Sequence, residues 1–183
     1  MALLTRDVQM TEEEYIQFEL NSEIRHEYVN GKLIDMPGKS VYNNKIALIL
    51  VFIFMRHLKE PGFHCYMEGV KLKLSEGKYF YPDVFVTKEA EAEGNKFIRY
   101  NPEIIVEVLS QLTRKYDAVD KFINYQKFQS LKYYLLVEPE FPLVTLFYKA
   151  EEGEWEMESF TDKNASVPLP LFNFSIALKE VYS

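Results

Sequence analysis

Two acidic residues occupy positions at which a buried strand would normally carry hydrophobic side chains. Asp83 lies in the apolar segment 79–86, and Glu107 lies in the apolar segment 103–109. Burying a carboxylate costs several kcal/mol unless a cation, hydrogen-bond donors or a proton accompanies it. The pair therefore calls for a chemical explanation, and a divalent metal ion is the most specific one.

Side-chain alternation predicts which face of its strand each acid occupies. Along 103–109, Glu107 shares a face with Ile105 and Leu109, so it emerges between two aliphatic neighbours. Asp83 follows a proline, which favours a strand start, an edge or a bulge. If the two strands are adjacent, both carboxylates converge at one strand end.

This convergence would create an oxygen-rich site. The carboxylates of Asp83 and Glu107, with the backbone carbonyl of Val108 beside them, suit Mg²⁺ or Mn²⁺. Phosphodiester hydrolysis uses such a site, because the metal stabilises charge on the phosphate and makes water a better nucleophile. The polar residues 87–101 would connect the two strands.

Composition indicates one domain spanning residues 1–183. A chain of 183 residues with 48% hydrophobic content can bury an ordinary core, and no Gly/Ser-rich or Pro-rich linker divides it. The net charge of −7 argues against a protein that coats nucleic acid by bulk electrostatics. Residues 110–132, however, carry five bases against two acids, and Arg114 and Lys115 there could position phosphates.

The remaining composition signals indicate a soluble, cytoplasmic protein with no membrane segment. Cys65 is the single cysteine, so no internal disulfide can form, and no Cys/His spacing of the zinc type is present. The apolar run 46–55 is too short to cross a bilayer, and no signal-peptide pattern precedes it.

Local patterns predict an N-terminal helix followed by a hairpin. Thr11 and Glu14 form a capping box that starts a helix over about 12–20. Asn30-Gly31 is typical of a type I′ turn, here between strands at 24–29 and 32–36. A second helix, capped by Ser40 or Asn43 and ending near Lys59, is apolar nearly all round, so a sheet or another subunit must cover both its sides.

The rest of the chain alternates strands with one further helix. Strands are predicted at 63–74, 80–86, 103–109, 132–138, 142–149 and 154–160, and a helix at 113–128. This order indicates an α/β or α+β fold, in which helices flank a mixed central sheet. The all-round apolar helix also predicts a homodimer or a higher homo-oligomer.

The motifs resemble those of a known nuclease superfamily. Pro82-Asp83 followed by 107–109 is similar to the PD-(D/E)xK core, except that Leu109 stands where a lysine is expected. More closely, the chain resembles the Uma-type restriction endonuclease family over about 15–147. The residues that carry this resemblance are Glu107, Val108, Leu109, Ser110, Thr113, Asp117, Lys121 and Tyr125.

The resemblance implies a restriction-endonuclease-like fold and an Mg²⁺- or Mn²⁺-dependent endonuclease that acts on DNA. It implies Asp83 and Glu107 as metal ligands, Lys121 as a displaced catalytic lysine, and Glu27 as a further member of the acidic cluster. The sequence departs from the family pattern in two places. Asn43 stands where a histidine is frequent, and Gln111-Leu112 replaces Pro-Ser.

Each candidate also has a purely structural interpretation. Asp83 could accept backbone amides at a strand end, and Glu107 could form an ion pair inside the sheet. Asp117 and Lys121 could be a helix-surface pair contributing about 0.3–0.5 kcal/mol. Glu27 could pair across the hairpin with Lys32 or Arg25. The alternative function is then a catalytically silent module that binds nucleic acid or protein.

Overall fold

A computed structural model describes residues 4–88, 96–150 and 153–183. In chain order its strands are β1 (Thr5–Asp7), β2 (His26–Val29), β3 (Lys32–Asp35), β4 (His64–Met67), β5 (Lys71–Ser75), β6 (Lys78–Phe80), β7 (Val84–Thr87), β8 (Ile98–Arg99), β9 (Pro102–Val108), β10 (Tyr133–Val137), β11 (Val144–Lys149), β12 (Trp155–Phe160), β13 (Ser166–Leu169) and β14 (Phe174–Ala177). Its helices are α1 (Glu12–Leu20), α2 (Val41–His57), a π-helix (Tyr116–Lys121), α3 (Phe122–Tyr125) and α4 (Leu178–Val181), with a 3₁₀ turn at Pro170–Phe172. The predicted α+β class is confirmed.

Within these ranges the strands form two six-stranded mixed sheets and a small pair. The first sheet has the order β1-β3-β2-β6-β5-β8, the second has the order β12-β11-β10-β9-β7-β4, and β13 pairs with β14. The strands of the single predicted central sheet are thus divided between two sheets. Part of the predicted polar connection, residues 89–95, lies outside the described residues.

The chain crosses between the sheets inside two runs that the sequence presents as single strands. The predicted strand 63–74 is two strands, β4 in the second sheet and β5 in the first, and Gly69 lies between them with φ +97°. The predicted strand 80–86 likewise divides into β6 and β7. Pro82 and Asp83 lie in that second crossing, since a proline cannot donate a ladder hydrogen bond. Both single-strand predictions are therefore wrong.

The N-terminal helix and hairpin form as predicted. The Glu14 amide donates to Thr11 Oγ1 at 3.2 Å, and the Thr11 amide donates to Glu14 Oε2 at 2.8 Å. Asn30 and Gly31 have φ values of 49° and 82°, the left-handed conformations that a type I′ turn needs. The turn pairs β2 with β3, and β6 pairs with the other edge of β2, so β2 lies in the interior of the first sheet.

Helix α2 begins after Ser40, whose hydroxyl accepts a hydrogen bond from the Asn43 amide. Its inner face packs against the second sheet, whereas no part of residues 4–88, 96–150 and 153–183 covers its outer face. Leu48, Phe52 and Met55 are 50%, 64% and 66% exposed. The second sheet thus covers one side of the helix, as expected, and the covering of the other side by another subunit stays a prediction. No helix in the described part of the chain is long and apolar enough to cross a membrane.

Strand β9 separates two hydrophobic cores. Val106 and Val108 belong to the core beneath α2, whereas Ile105 and Leu109 belong to the core on the opposite face of the sheet. Glu107 lies on that second face and is fully buried. The predicted position of Glu107 between two aliphatic neighbours is confirmed.

The predicted helix at 113–128 is shorter and differently wound. The backbone is helical only from Arg114 to Tyr125, and its middle is the π-helix. Residues five apart in a π-helix lie one above the other, because its hydrogen bonds join residues i and i+5. Tyr116 and Lys121, which are separated by this interval, therefore face the same region of the interior.

Replacing Gly69 by alanine is expected to lower the free energy of unfolding by about 1–3 kcal/mol, because a residue with a Cβ is strained at φ +97°. The matched control is Gly38→Ala, since a Cβ at Gly38 would meet no atom within 4 Å. That control should change stability by less than about 0.5 kcal/mol. Urea unfolding followed by circular dichroism measures both. Equal stability of the two variants would contradict a constrained crossing at Gly69.

Candidate functional site

A buried lysine connects carboxylates from both sheets. Glu27 comes from β2 in the first sheet, Glu107 from β9 in the second, and Lys121 from the π-helix. Lys121 Nζ lies 3.0 Å from Glu27 Oε1 and 3.0 Å from Glu107 Oε1, and all three side chains are 0% exposed. The structure therefore brings together three of the residues that the sequence singled out.

Asp117 is the third carboxylate at this lysine. Its Oδ1 lies 3.2 Å from Lys121 Nζ, and the Asp117 side chain is 2% exposed. The interpretation of Asp117 and Lys121 as a helix-surface pair is therefore wrong. Three carboxylate oxygens lie within 3.2 Å of the ammonium group, and Glu107 Oε1 accepts a hydrogen bond from it at 3.0 Å. Both oxygens of Asp117, however, are buried without a hydrogen-bond partner.

Asp83 lies beside Glu107 because of the pairing between β7 and β9. The antiparallel register sets Val84 opposite Val106, so the preceding position places Asp83 opposite Glu107. The Val108 amide donates to Asp83 Oδ2 at 2.7 Å. This hydrogen bond joins the residue before β7 to the last residue of β9, and it orients the aspartate.

The other oxygen of Asp83 meets a lysine that sequence reasoning missed. Lys39 Nζ lies 2.7 Å from Asp83 Oδ1, and 17% of the Lys39 side chain is exposed. Lys39 stands in the irregular segment between β3 and α2, where no motif marks it. Its only local signal is a positive charge shortly before a helix that folds against the second sheet.

Tyrosines hold the two buried glutamates in place. Tyr116 donates its hydroxyl to Glu27 Oε2 at 2.6 Å, and the Tyr81 amide donates to Glu27 Oε1 at 2.8 Å. Tyr125 donates its hydroxyl to Glu107 Oε1 at 2.9 Å. Glu27 therefore points into the site, and the interpretation of Glu27 as a cross-hairpin partner is wrong. Sequence reasoning also missed Tyr116, whose role depends on the π-helical winding.

Asn43, which stands where the family pattern has a histidine, secures the end of β9. Its amide nitrogen donates to the carbonyls of Val108 and Leu109, each at 2.9 Å. The Val108 carbonyl that was predicted as a metal ligand thus already accepts one hydrogen bond. A carbonyl oxygen has a second lone pair, so it can still face a cation.

The site has an excess of negative charge. Four carboxylates face two ammonium groups in the cluster that consists of Glu27, Asp83, Glu107, Asp117, Lys39 and Lys121. With every group ionised its net charge is −2, since four negative charges outnumber two positive ones. Burial raises the pKa of Glu107 well above its usual value, although the positive charge of Lys121 opposes this.

The pKa values of the neighbouring groups are shifted as well. Burial also raises the pKa values of Glu27 and Asp83, against the opposing effects of Lys121 and Lys39 respectively. Burial alone would lower the pKa of Lys121, but Glu107 and Glu27 raise it well above its usual value. The charged form of the lysine is thus favoured, whereas burial favours the protonated forms of Glu27, Asp83 and Glu107.

The residues at this cluster fit a divalent cation in charge and chemistry. Within residues 4–88, 96–150 and 153–183, no three His, Cys, Asp or Glu side chains enclose a metal position as they stand. Glu107 Oε2, however, is buried without a hydrogen-bond partner, which is costly for a carboxylate oxygen. A doubly charged cation would offset the −2 charge and satisfy this oxygen.

The predicted phosphate-binding residues have different surroundings. Arg114 forms a two-pronged ion pair with the carboxylate of Glu138, in which Nη2 lies 2.8 Å from Oε2. Lys115 lines a surface cavity of about 630 Å³ together with Lys32. A role for Arg114 and Lys115 in binding nucleic acid stays a prediction.

Comparisons with known proteins identify a family, two relatives and a solved structure of similar fold. The Uma2 family model, described as "Putative restriction endonuclease", matches residues 12–179. An uncharacterized protein of Synechocystis sp. is 31% identical over 94% of this chain and 91% of its own length, and a second one is 26% identical over 86% and 91%. The crystal structure of a putative nuclease belonging to DUF820 from Anabaena variabilis superposes with a TM-score of 0.78. It is 18% identical to this chain and covers 95% of it and 98% of its own length.

Replacing Lys121 by methionine is expected to lower the free energy of unfolding by about 3–5 kcal/mol at pH 7, because buried carboxylates then lack their cation. The pKa values of Glu27 and Glu107 are raised in the folded state, so their ionisation opposes folding at neutral pH. The deficit should therefore shrink as the pH falls from 7 towards 5. Urea unfolding at both pH values, with the exposed Lys163→Met as the control, measures it. A deficit below about 1 kcal/mol, or one that grows in acid, would contradict the proposed charge balance.

Proposed function

Because the chain belongs to the Uma2 family, we propose that it is a metal-dependent endonuclease that hydrolyses phosphodiester bonds in DNA. The observation that carries this proposal is a pair of buried carboxylates, Glu107 on β9 and Asp83 immediately before β7, the strand that pairs with β9. Few structural roles require two acids in a protein interior, whereas phosphodiester hydrolysis with a metal does.

Asp83, Glu107 and the Val108 carbonyl would hold the cation, and Mg²⁺ or Mn²⁺ suits such oxygen ligands. When bound, the cation supplies stabilisation of the negative charge that develops on the phosphate, and it makes a neighbouring water more acidic. The unsatisfied Glu107 Oε2 and the net charge of the cluster support this assignment.

The other residues orient these ligands and maintain the charge of the cluster. The Val108 amide orients Asp83, and the Tyr125 hydroxyl orients Glu107. Lys121 fixes the distance between Glu27 and Glu107 by contacting both. Glu27 thus supports the site from the opposite sheet. We propose Lys121 as a positioning residue for the two glutamates.

DNA is the proposed substrate because the family is described as a restriction endonuclease and because basic side chains lie near the cluster. Lys32 and Lys115 line the same cavity as Tyr116, whose hydroxyl contacts Glu27. A duplex backbone on this face would meet positive charge near the acids, although the chain as a whole carries −7.

Cleavage of DNA tests the proposal. Duplex, branched and single-stranded DNA are incubated with Mg²⁺ or Mn²⁺ and the wild-type protein, Asp83→Asn or Glu107→Gln. Each substitution is expected to lower the cleavage rate by about 100-fold or more, because it removes a charged metal ligand. The control is Glu103→Gln, an acid on the same strand as Glu107 but outside the cluster.

Two results would contradict the assignment. Cleavage that survives both substitutions would place the chemistry elsewhere in the molecule. A wild-type protein that cuts none of these substrates with either cation would favour the catalytically silent interaction module instead.

Self-association through the outer face of α2 is part of the proposal. Cleavage of both strands of a duplex is achieved by two active sites, and a second copy would cover the exposed Leu48, Phe52 and Met55. Multi-angle light scattering at micromolar concentration should give twice the mass of one chain. Phe52→Glu should shift the mass towards the monomer, whereas Met157→Glu, an equally exposed position on β12, should not. A wild-type monomer would contradict the dimer.

A further inference from the structure

Two lysines serve the acidic cluster, and only one of them is free to move. Lys121 is 0% exposed and lies within 3.2 Å of three carboxylate oxygens. Lys39 is partly exposed, and within the described residues its one ion-pair partner is Asp83. The ammonium of Lys39 can therefore reach solvent when it leaves Asp83, whereas the buried aspartate then needs another cation.

Lys39 also lies beside an open space that can receive it. It lines a cavity of about 270 Å³ together with Asp83, Arg25 and Tyr81. Gly38, which precedes Lys39, has no atom within 4 Å of the position that a Cβ would take. Rotation of the Lys39 side chain would carry its charge from Asp83 into this cavity.

Asp83 does not need Lys39 for its orientation. The Val108 amide already holds Oδ2 at 2.7 Å, whereas Lys39 occupies Oδ1 at the same distance. The aspartate oxygen that a cation would bind is thus covered by an ammonium group. Burial alone would lower the pKa of Lys39, but Asp83 raises it, so the lysine stays positively charged.

We propose that Lys39 takes the place of the divalent cation at Asp83 and that, once the cation displaces it, Lys39 binds a substrate phosphate in the adjoining cavity. This inference rests on the proposed metal site. Lys39 keeps the aspartate neutralised before the metal arrives, and afterwards it supplies a positive charge for the substrate. It makes Lys39 a substrate-positioning residue that none of the sequence motifs marks.

The two roles predict opposite effects of one substitution. Lys39→Met should bind Mn²⁺ about threefold or more tightly than the wild type, because no ammonium competes for Asp83. The same variant should bind thymidine 5′-monophosphate about threefold or more weakly at saturating Mn²⁺, because a charge-assisted contact is lost. Isothermal titration calorimetry measures both affinities on the full chain. A loss of packing alone would weaken both.

Three further variants complete the experiment. Lys45→Met removes the same charge from the surface of α2, where Lys45 contacts the Ser183 carbonyl, and should match the wild type. Lys39→Arg keeps the charge and should keep the wild-type affinities. If Lys39→Met does not fold, Lys39→Gln serves in its place, since it loses the charge but keeps a donor for Asp83.

The outcomes separate this inference from the proposed function. Mn²⁺ binding that depends on Glu107 but is unchanged or weakened in Lys39→Met would overturn the inference and leave the metal site intact. Unchanged binding of the nucleotide would overturn the substrate role of Lys39. Glu107→Gln is titrated with Mn²⁺ alongside the wild type and Lys39→Met. If neither of these two proteins binds Mn²⁺ more tightly than Glu107→Gln does, the metal site and the inference are overturned together.

Discussion

The ion contacts of Lys121 determine how the two halves of the molecule meet. Its ammonium group contacts Glu27 from one sheet, Glu107 from the other, and Asp117 from its own π-helix. Each of these charges would be costly in the interior alone, so the lysine and the acids require one another. The sheets, the helical segment and the tyrosines that contact the glutamates are consequently arranged around one buried charge cluster.

The same cluster carries more negative than positive charge, since its four carboxylates outnumber its two ammonium groups. Burial raises the pKa values of Glu107 and Asp83, and the neighbouring acids Asp117 and Asp83 raise that of Glu107 further. Perturbed carboxyl groups of this kind are typical of functional sites, where a ligand supplies the missing charge. Under the proposed function, stability and chemistry depend on the same imbalance, because the charge that makes the acids costly to bury is the charge that would bind a cation.

Local patterns predicted the elements whose determinants lie within a few residues. The capping box of Thr11 and Glu14 starts α1, and Asn30-Gly31 turns the hairpin, as the sequence indicates. The face of Glu107 followed from alternation along β9 alone. The sheet to which each strand belongs could not be predicted in this way, because an apolar run has the same sequence pattern whether it stays in one sheet or crosses to another. Those runs were therefore predicted as single strands, although the chain leaves one sheet for the other inside each of them.

The sequence by itself determined that Glu107 is a buried acid between aliphatic neighbours, and the family resemblance grouped Asp83, Lys121 and Glu27 with it. Only the tertiary structure decided that Lys121 is enclosed by three carboxylates and that Lys39 covers Asp83. The physical reason is that a residue's charge and spacing are local properties, whereas its partners depend on segments far apart in the chain. Lys39 and Asp83 meet across such a distance, so no pattern around either residue could have paired them.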